Sequence, residues 1–292
     1  TMEAIGIDVG GTNLRVARVD SEGRIAVTCG ARTTGDPAAA LADMRALVRE
    51  VDTPVVRGIG VGIPGRVDAA ARKVLSGGFL DLSRVDLVEA LERETGRPVI
   101  LDGDANLALV AEWRFGAARG TKNVVMITIG TGIGGAALLG GRILRGRMSG
   151  GQFGHVTVEA GGRACACGRT GCVETTSSGT ALGRLIAEAG MPADARVETL
   201  LADARRGDGA ALALLGRWAA PLRAAIDSLV AVLDPERVVL GGGLGWAAVA
   251  ALDYAPALAP WYQSPVVAAE LGDRAGVIGG AWAAMNPEAV AP

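Results

Sequence analysis

One short stretch of the chain concentrates side chains that bind metal ions. Residues 150–178 (GGQFGHVTVEAGGRACACGRTGCVETTSS) contain the single histidine, His155, and three of the four cysteines, Cys165, Cys167 and Cys172. One imidazole and three thiolates form a common ligand set for a tetrahedral structural zinc. The glycines between them allow turns sharp enough to aim three sulfurs at one point. We therefore predict a zinc ion that fixes this loop and leaves no ligand position for water.

Two other interpretations of these cysteines stay open. They could be ordinary core residues, or two of them could form a disulfide. Cys165 and Cys167 are separated by a single residue, which disfavours a bond between them, and Cys29 lies far upstream. Clustering beside a histidine, rather than in spread pairs, favours a metal site and a reducing, cytoplasmic setting.

Length and charge set the class of protein to expect. The chain has 292 residues, about twice the usual size of one domain, so we expect two lobes. The net charge is −2, and no run of lysine or arginine predicts a surface for nucleic acid or anionic membrane. The first residues show no export signal. The uncharged run 123–141 contains six glycines and predicts strand, loop and strand, not a membrane span.

Hydrophobic periodicity predicts alternating strands and helices. Asp36 followed by Pro37 is typical of a helix start. The predicted strands are 4–9, 14–19, 24–29, 55–63, 98–101, 124–129, 136–139, 142–144, 237–240 and 266–269. The predicted helices are 37–51, 85–95, 104–115, 179–189, 197–205, 210–233 and 276–285.

Three glycine-rich turns follow predicted strands, at 10–13, 130–135 and 241–243. Such turns let backbone N–H groups converge on an anion. The first two lack the lysine of a P-loop and lead into a strand instead of a helix, so they resemble neither a P-loop nor a dinucleotide-binding turn. Either could be a tight hairpin only, but two similar turns at matching points favour phosphate binding. The third fits close approach to a purine or ribose.

Side chains near these turns could add to phosphate binding. Thr12 and Thr131 add hydroxyl donors, and Asp8 could hold Mg²⁺ through water, because this ion dehydrates reluctantly. The residues expected to bind phosphate or nucleotide, which the family resemblance assigns to ATP, are Asp8, Gly10, Gly11, Thr12, Asn13, Thr131, Gly132, Gly242 and Gly243.

Over essentially its whole length the sequence resembles the ROK family of sugar kinases and repressors, within the sugar kinase, Hsp70 and actin superfamily. The zinc stretch is the most family-specific part. The other motifs that carry the resemblance are IGIDVGGTNLRVARVD, GVGIPGRVD, GDANLALVAEWRFGAARG, ITIGTGIGGAALLGG, VVLGGGL and AGVIGGAW.

The resemblance implies a two-lobed α/β fold of the actin-like, ribonuclease H-like type, with a cleft between the lobes. The small lobe would span 1–105 plus about 277–292, and the large lobe 106–276, with the zinc loop at 151–177. It also implies a homodimer that uses ATP to phosphorylate a hexose, usually at the primary 6-hydroxyl. Repressor members carry a helix-turn-helix before the first phosphate strand, and we expect none here.

By the same resemblance Asp104 matches the catalytic base. An acid at a helix start is held ionised by the helix dipole, although a plain N-cap is the alternative. His155 would bind zinc through one ring nitrogen and the sugar through the other. The residues expected to bind the sugar are Gly65, Gly78, Gly103, Asp104, Gln152, His155 and Glu174.

Two positions depart from the family pattern. Gly103 stands where most members have asparagine, and Gln152 stands where they have glutamate; the segment 76–80 also lacks a usual asparagine. A site that loses such groups discriminates less among hydroxyls. The substrate could be an amino sugar or a sugar-derived cyclitol, or the chain could be an ordinary glucokinase. A catalytically weak sugar sensor and an actin-type structural nucleotide module are the rival functions; the second leaves the zinc cluster unexplained.

Overall fold

The computed structural model describes residues 2–78, 80–261 and 263–292. The chain divides into two compact units. The first consists of Thr1–Gly120, Arg142–Gly150 and Asp273–Pro292, and the second of Thr121–Gly141 and Gly151–Gly272. The lobe boundaries expected from the sequence, near residues 105 and 277, stay a prediction.

Strands and helices alternate along the described residues. The strands are β1 (Glu3–Val9), β2 (Asn13–Asp20), β3 (Ile25–Arg32), β4 (Val56–Ile63), β5 (Arg66–Asp68), β6 (Lys73–Ser76), β7 (Val99–Gly103), β8 (Val124–Ile129), β9 (Ile133–Leu139), β10 (Arg142–Ile143), β11 (Arg237–Gly241) and β12 (Val266–Ala268). The helices are α1 (Pro37–Val51), α2 (Leu87–Thr95), α3 (Asp104–Phe115), α4 (Glu174–Ser177), α5 (Gly179–Glu188), α6 (Val197–Arg205), α7 (Gly209–Leu233), α8 (Gly245–Ala251) and α9 (Ala275–Met285).

The two units repeat one strand arrangement. In the first, the sheet order is β3-β2-β1-β4-β7, with β2 antiparallel to β1 and with β4 and β7 parallel to it. In the second, β9-β8-β11-β12 repeats β2-β1-β4-β7 in order and direction. The apolar side chains of β1 and β4 are buried in the first core. The predicted repetition of strand, turn and strand is therefore confirmed.

Helix α9 lies directly on the backbone of the first sheet, because glycines face each other there. A Cβ on Gly6 would come within 1.8 Å of the Val277 carbonyl oxygen, and one on Gly60 within 1.9 Å of the Gly280 oxygen. Likewise, a Cβ on Gly279 would come within 1.8 Å of the Leu107 carbonyl oxygen in α3. The closing motif AGVIGGAW thus allows a close approach of helix to sheet.

Some local structure differs from the sequence-based prediction. Strand β9 begins at Ile133, inside the predicted turn 130–135, because Gly134 and Gly135 pair with β8. The hairpin β5–β6 and the short helix α8 were not predicted. Among the described residues, no helix is both long and apolar enough to cross a membrane.

Candidate active site

The first glycine turn connects β1 to β2 and is held by its own backbone. The Gly10 N–H donates to the Asn13 carbonyl at 2.8 Å, and Thr33 donates its N–H to the Thr12 carbonyl at 3.1 Å. The Thr33 hydroxyl also donates to the Gly11 carbonyl at 3.0 Å. Gly11, Thr12 and Asn13 are exposed. The predicted ATP-binding residues of this turn therefore lie on a fixed, accessible surface of the first unit.

Asp8 lies close to the end of β1, against the start of α9. A Cβ on Gly276 would come within 2.6 Å of the Asp8 carboxyl carbon, so a side chain there would push the carboxylate out of its present position. Arg15 lies 3.8 Å from Asp8 and 3.0 Å from Asp273. The pKa of Asp8 is raised to about 6, mainly by burial and next by the Asp104 charge, whereas Arg15 opposes the shift. A partly buried carboxylate with a second acid nearby gains from a bound cation.

Replacing Asp8 by asparagine should make the metal-free protein more stable at pH 8. In the folded state the pKa of Asp8 lies above its ordinary value of 3.8, so folding favours the protonated carboxyl. The parent protein therefore keeps its full stability at low pH and loses part of it as pH rises through about 6. The free energy of unfolding of Asp8→Asn should exceed that of the parent by about 3 kcal/mol at pH 8, and this difference should shrink toward pH 5. Urea unfolding at the two pH values measures it. A gain that is equal at both would contradict the assigned ionisation.

The same unfolding measurement with Mg²⁺ supplies the control. Mg²⁺ should stabilise the parent protein at pH 8 and leave the Asp8→Asn variant unchanged, because the variant lacks the carboxylate. Equal stabilisation of both proteins would remove Asp8 as the magnesium site.

Asp104 is the first residue of α3 and follows β7 directly. The registers Asp8↔Gly62 and Ile63↔Gly103 place it beyond the same edge of the parallel strands as Asp8. Its Oδ1 accepts the Ala105 N–H at 2.7 Å. Burial raises the pKa of Asp104, and this backbone hydrogen bond opposes the shift. The side chain is thus a fixed carboxylate whose basicity exceeds that of an exposed one, as a general base requires.

Two residues that the sequence analysis missed hold the turn that carries Asp104. Asp102 is buried, and its Oδ1 accepts the Gly103 N–H and the Asn106 side-chain amide, both at 2.8 Å. Its Oδ2 pairs with Arg145, which also donates to the Val290 carbonyl at 2.8 Å. The sequence Asp102-Gly103-Asp104 hinted that Asp102 could support the turn. No sequence signal indicated Arg145, which is 43 residues from Asp102.

The three glycines expected at the sugar site differ in their surroundings. Gly65 has φ +97°, and a Cβ there would lie 2.3 Å from the Ser76 carbonyl oxygen, so its backbone requires glycine. Gly103 has ordinary dihedral angles, and a Cβ there would meet only the Asn106 side chain, at 3.6 Å. The backbone at position 103 would therefore accept a Cβ without a clash. Gly78 is exposed, and its neighbour Phe79, in the segment 76–80, lies outside the described residues.

In the second unit, three segments meet at the ends of β8 and β11. The Gly179 N–H, at the start of α5, donates to the Gly130 carbonyl at 2.7 Å, and the Thr180 hydroxyl donates to the Thr131 carbonyl at 2.9 Å. Gly242 has φ +75° and packs against the Ile129 backbone. Residues of the glycine turns 130–135 and 241–243 were predicted from the sequence. Gly179 and Thr180 were not, because no local sequence signal marks their contact with the first of these turns.

The predicted zinc ligands lie together in the second unit. The ligand atoms of His155, Cys165, Cys167 and Cys172 all lie within 4.8 Å of one another. His155 Nδ1 and Cys165 Sγ are 3.6 Å apart, as are the sulfurs of Cys167 and Cys172. A tetrahedral zinc with Zn–S bonds of about 2.3 Å separates its ligands by roughly 3.8 Å, so this donor set fits. All four cysteines are free thiols, which contradicts the disulfide alternative.

Tight turns and hydrogen bonds shape the cluster. The Cys165 N–H donates to the Arg169 carbonyl at 2.8 Å, and Gly168 between them has φ +90°. Gly171 has φ +74°, and a Cβ there would lie 1.7 Å from the Glu159 carbonyl oxygen. Because Nδ1 faces the sulfurs, Nε2 of His155 is the ring nitrogen left for another partner. Gln152, three residues earlier, is exposed.

The sequence model of the ROK family matches residues 4–286 of the chain. The chain belongs to the ROK family. This ROK chain is 34% identical to a glucokinase of Thermotoga maritima, over 96% of each chain. It is 33% identical to an N-acetylmannosamine kinase of Citrobacter koseri, over 98% of this chain and 99% of the relative.

A solved structure agrees with this family assignment. A ROK family glucokinase from Streptomyces griseus in complex with glucose and AMPPNP superposes with a TM-score of 0.79 at 31% identity, covering 96% of this chain and 98% of that one. The family and the two-unit actin-like α/β fold expected from the sequence are thereby confirmed. The individual roles expected for the residues at the ATP and sugar sites stay predictions.

Proposed function

We propose that this ROK protein is an ATP-dependent sugar kinase that phosphorylates the primary, 6-type hydroxyl of a hexose or hexose-like substrate. The observation that carries the proposal is the pair Asp8 and Asp104, which lie at the same end of the parallel strands, where the Asp104 charge raises the pKa of Asp8. Two acids in such a place suit a magnesium site beside a base. The names of the relatives, glucokinase and N-acetylmannosamine kinase, agree with it.

In this mechanism Asp104 accepts the proton of the attacking hydroxyl. The sugar oxygen forms a bond to the γ-phosphorus, the bond from that phosphorus to the β-phosphate oxygen breaks, and ADP leaves. Thr12 and Thr131, with the glycine turns, would hold the phosphates, and Asp8 would hold Mg²⁺, which would neutralise phosphate charge. Positioning and charge neutralisation carry most of phosphoryl transfer. His155, Glu174 and Gln152 would hydrogen-bond the sugar, and the Cys₃His cluster would hold a structural zinc.

We further propose that the substrate is a glucose-like ring with altered substituents, such as an amino sugar or a sugar-derived cyclitol. Gly103 supports this, because the backbone there accepts a side chain that the residue lacks. Gln152 replaces a negative charge with a neutral amide. Both changes alter which ring substituents can be accommodated. We retain a cytoplasmic homodimer as the expected form.

Turnover across a sugar panel tests both proposals. ADP release is measured with glucose, N-acetylmannosamine, 3-amino-3-deoxyglucose and a set of cyclitols. A modified ring should be preferred, and Gly103→Asn should shift kcat/KM toward glucose by about tenfold, which corresponds to one hydrogen-bonding group. A clear preference of the parent for glucose would end the altered-ring proposal. Sugar binding without ADP release would favour the sensor instead.

A further inference from the structure

The Glu174 carboxylate joins two parts of the second unit that are distant in sequence. One oxygen, Oε2, accepts the Ile133 N–H at 2.8 Å. The other, Oε1, lies 3.9 Å from Cys165 Sγ in the cysteine cluster. Glu174 begins α4, two residues after Cys172, so the metal-binding loop fixes its backbone. One side chain thus bonds Ile133, in the glycine turn 130–135, and lies beside the cysteine cluster.

The residues around this contact are shaped for it. A Cβ on Gly132 would lie 2.6 Å from Glu174 Oε2, so glycine at 132 makes room for the carboxylate. On the other side of Ile133, a Cβ on Gly154 would lie 2.0 Å from the Ile133 carbonyl oxygen. The turn Phe153–His155 therefore packs against the same residue. Ile133 donates its N–H to Glu174, and its carbonyl packs closely against Gly154.

We infer that Glu174 is a positioning residue for the nucleotide turn, in addition to the sugar contact expected of it. The inference rests on the proposed function, in which Thr131 and Gly132 bind ATP. A turn whose backbone is fixed before the ligand arrives pays less to order itself on binding. Glu174 therefore supports nucleotide affinity even when no sugar is present, which a residue that only contacts sugar would not do.

The test measures MgADP binding by calorimetry without sugar. Glu174→Ala should weaken binding about tenfold, because a hydrogen bond to a charged acceptor is lost. Glu174→Gln keeps an oxygen that can accept the Ile133 N–H, and its affinity should stay within about threefold of the parent. Glu198→Ala, an exposed acid in the first turn of α6, is the matched control and should bind as the parent does.

Hydrogen exchange of residues 130–135 in nucleotide-free protein gives a second readout. Exchange at the Ile133 amide should be faster in Glu174→Ala and unchanged in Glu174→Gln. Gly132→Ala pushes on the carboxylate without removing it, so it should also speed exchange at Ile133 and serves if Glu174→Ala does not fold. Gly183→Ala, in open space on α5, is its control.

These measurements distinguish failure of the Glu174 positioning role from failure of the proposed kinase function. If Glu174→Ala binds MgADP like the parent and its Ile133 amide exchanges at the parent's rate, the positioning role is wrong and the proposed kinase activity stands. If the parent itself does not bind MgADP, the proposed function fails first.

Discussion

Replacing Asp104 by asparagine should lower kcat by about 10²–10⁴-fold, the usual contribution of a general base. Asparagine has nearly the same shape, and its side-chain oxygen can still accept the Ala105 N–H that now binds Oδ1 at 2.7 Å. Only the capacity to take a proton is lost. KM for the sugar should change much less than kcat, because the carboxylate acts in the transition state. Initial rates at saturating MgATP measure both.

The pH profile distinguishes a base from a helix cap. Burial raises the pKa of Asp104, so activity of the parent should fall on the acid side as this carboxylate is protonated. The acid limb should disappear in the residual activity of Asp104→Asn. Asp208→Asn is a matched control, because Asp208 caps α7 by accepting the Ala211 N–H at 2.8 Å, a backbone contact that asparagine can also make. A folded Asp104→Asn protein with near-normal turnover would refute the assignment.

Local signals in the sequence predicted much of this protein. Asp36 and Pro37 set the start of α1, where the Asp36 side chain accepts the Ala38 N–H at 2.9 Å. The cysteine and histidine cluster was predicted because residue types and glycine spacing alone restrict what such a loop can do. Both depend on neighbours within about twenty residues, and therefore remain visible without a fold.

Contacts between distant segments could not be predicted in this way. Arg145 reaches Asp102 across 43 residues, and Glu174 reaches Ile133 across 41. Gly276 beside Asp8 depends on how α9 lies on the first sheet. Sheet register and helix packing decide these contacts, and composition does not encode them. The start of β9 was missed for a related reason: Gly134 and Gly135 lie in a strand because they pair with β8, and Gly151 and Phe153 approach Gly135 too closely for a Cβ.

The purified protein should contain one zinc ion per chain, and Cys172→Ser should remove it. Cys172 is fully buried among the four ligand atoms, and a serine hydroxyl is a poor zinc ligand. Zinc at a thousand times its dissociation constant stabilises the folded state by about 4 kcal/mol, so its loss should lower Tm by roughly 10 °C. Elemental analysis and thermal unfolding measure the two effects. Chelation of the parent should reproduce the lower Tm.

Cys29→Ser is the matched control for this substitution. Cys29 lies outside the cluster, in β3, and its thiol contacts the Leu47 carbonyl at 3.6 Å, where a hydroxyl can also donate. That variant should keep its zinc and unfold near the parent's Tm. Because Glu174 lies against Cys165, loss of the ion should also speed exchange at the Ile133 amide, which joins the metal loop to the nucleotide turn. A folded, metal-free parent with the same Tm as the zinc-loaded protein would show that the cluster needs no ion.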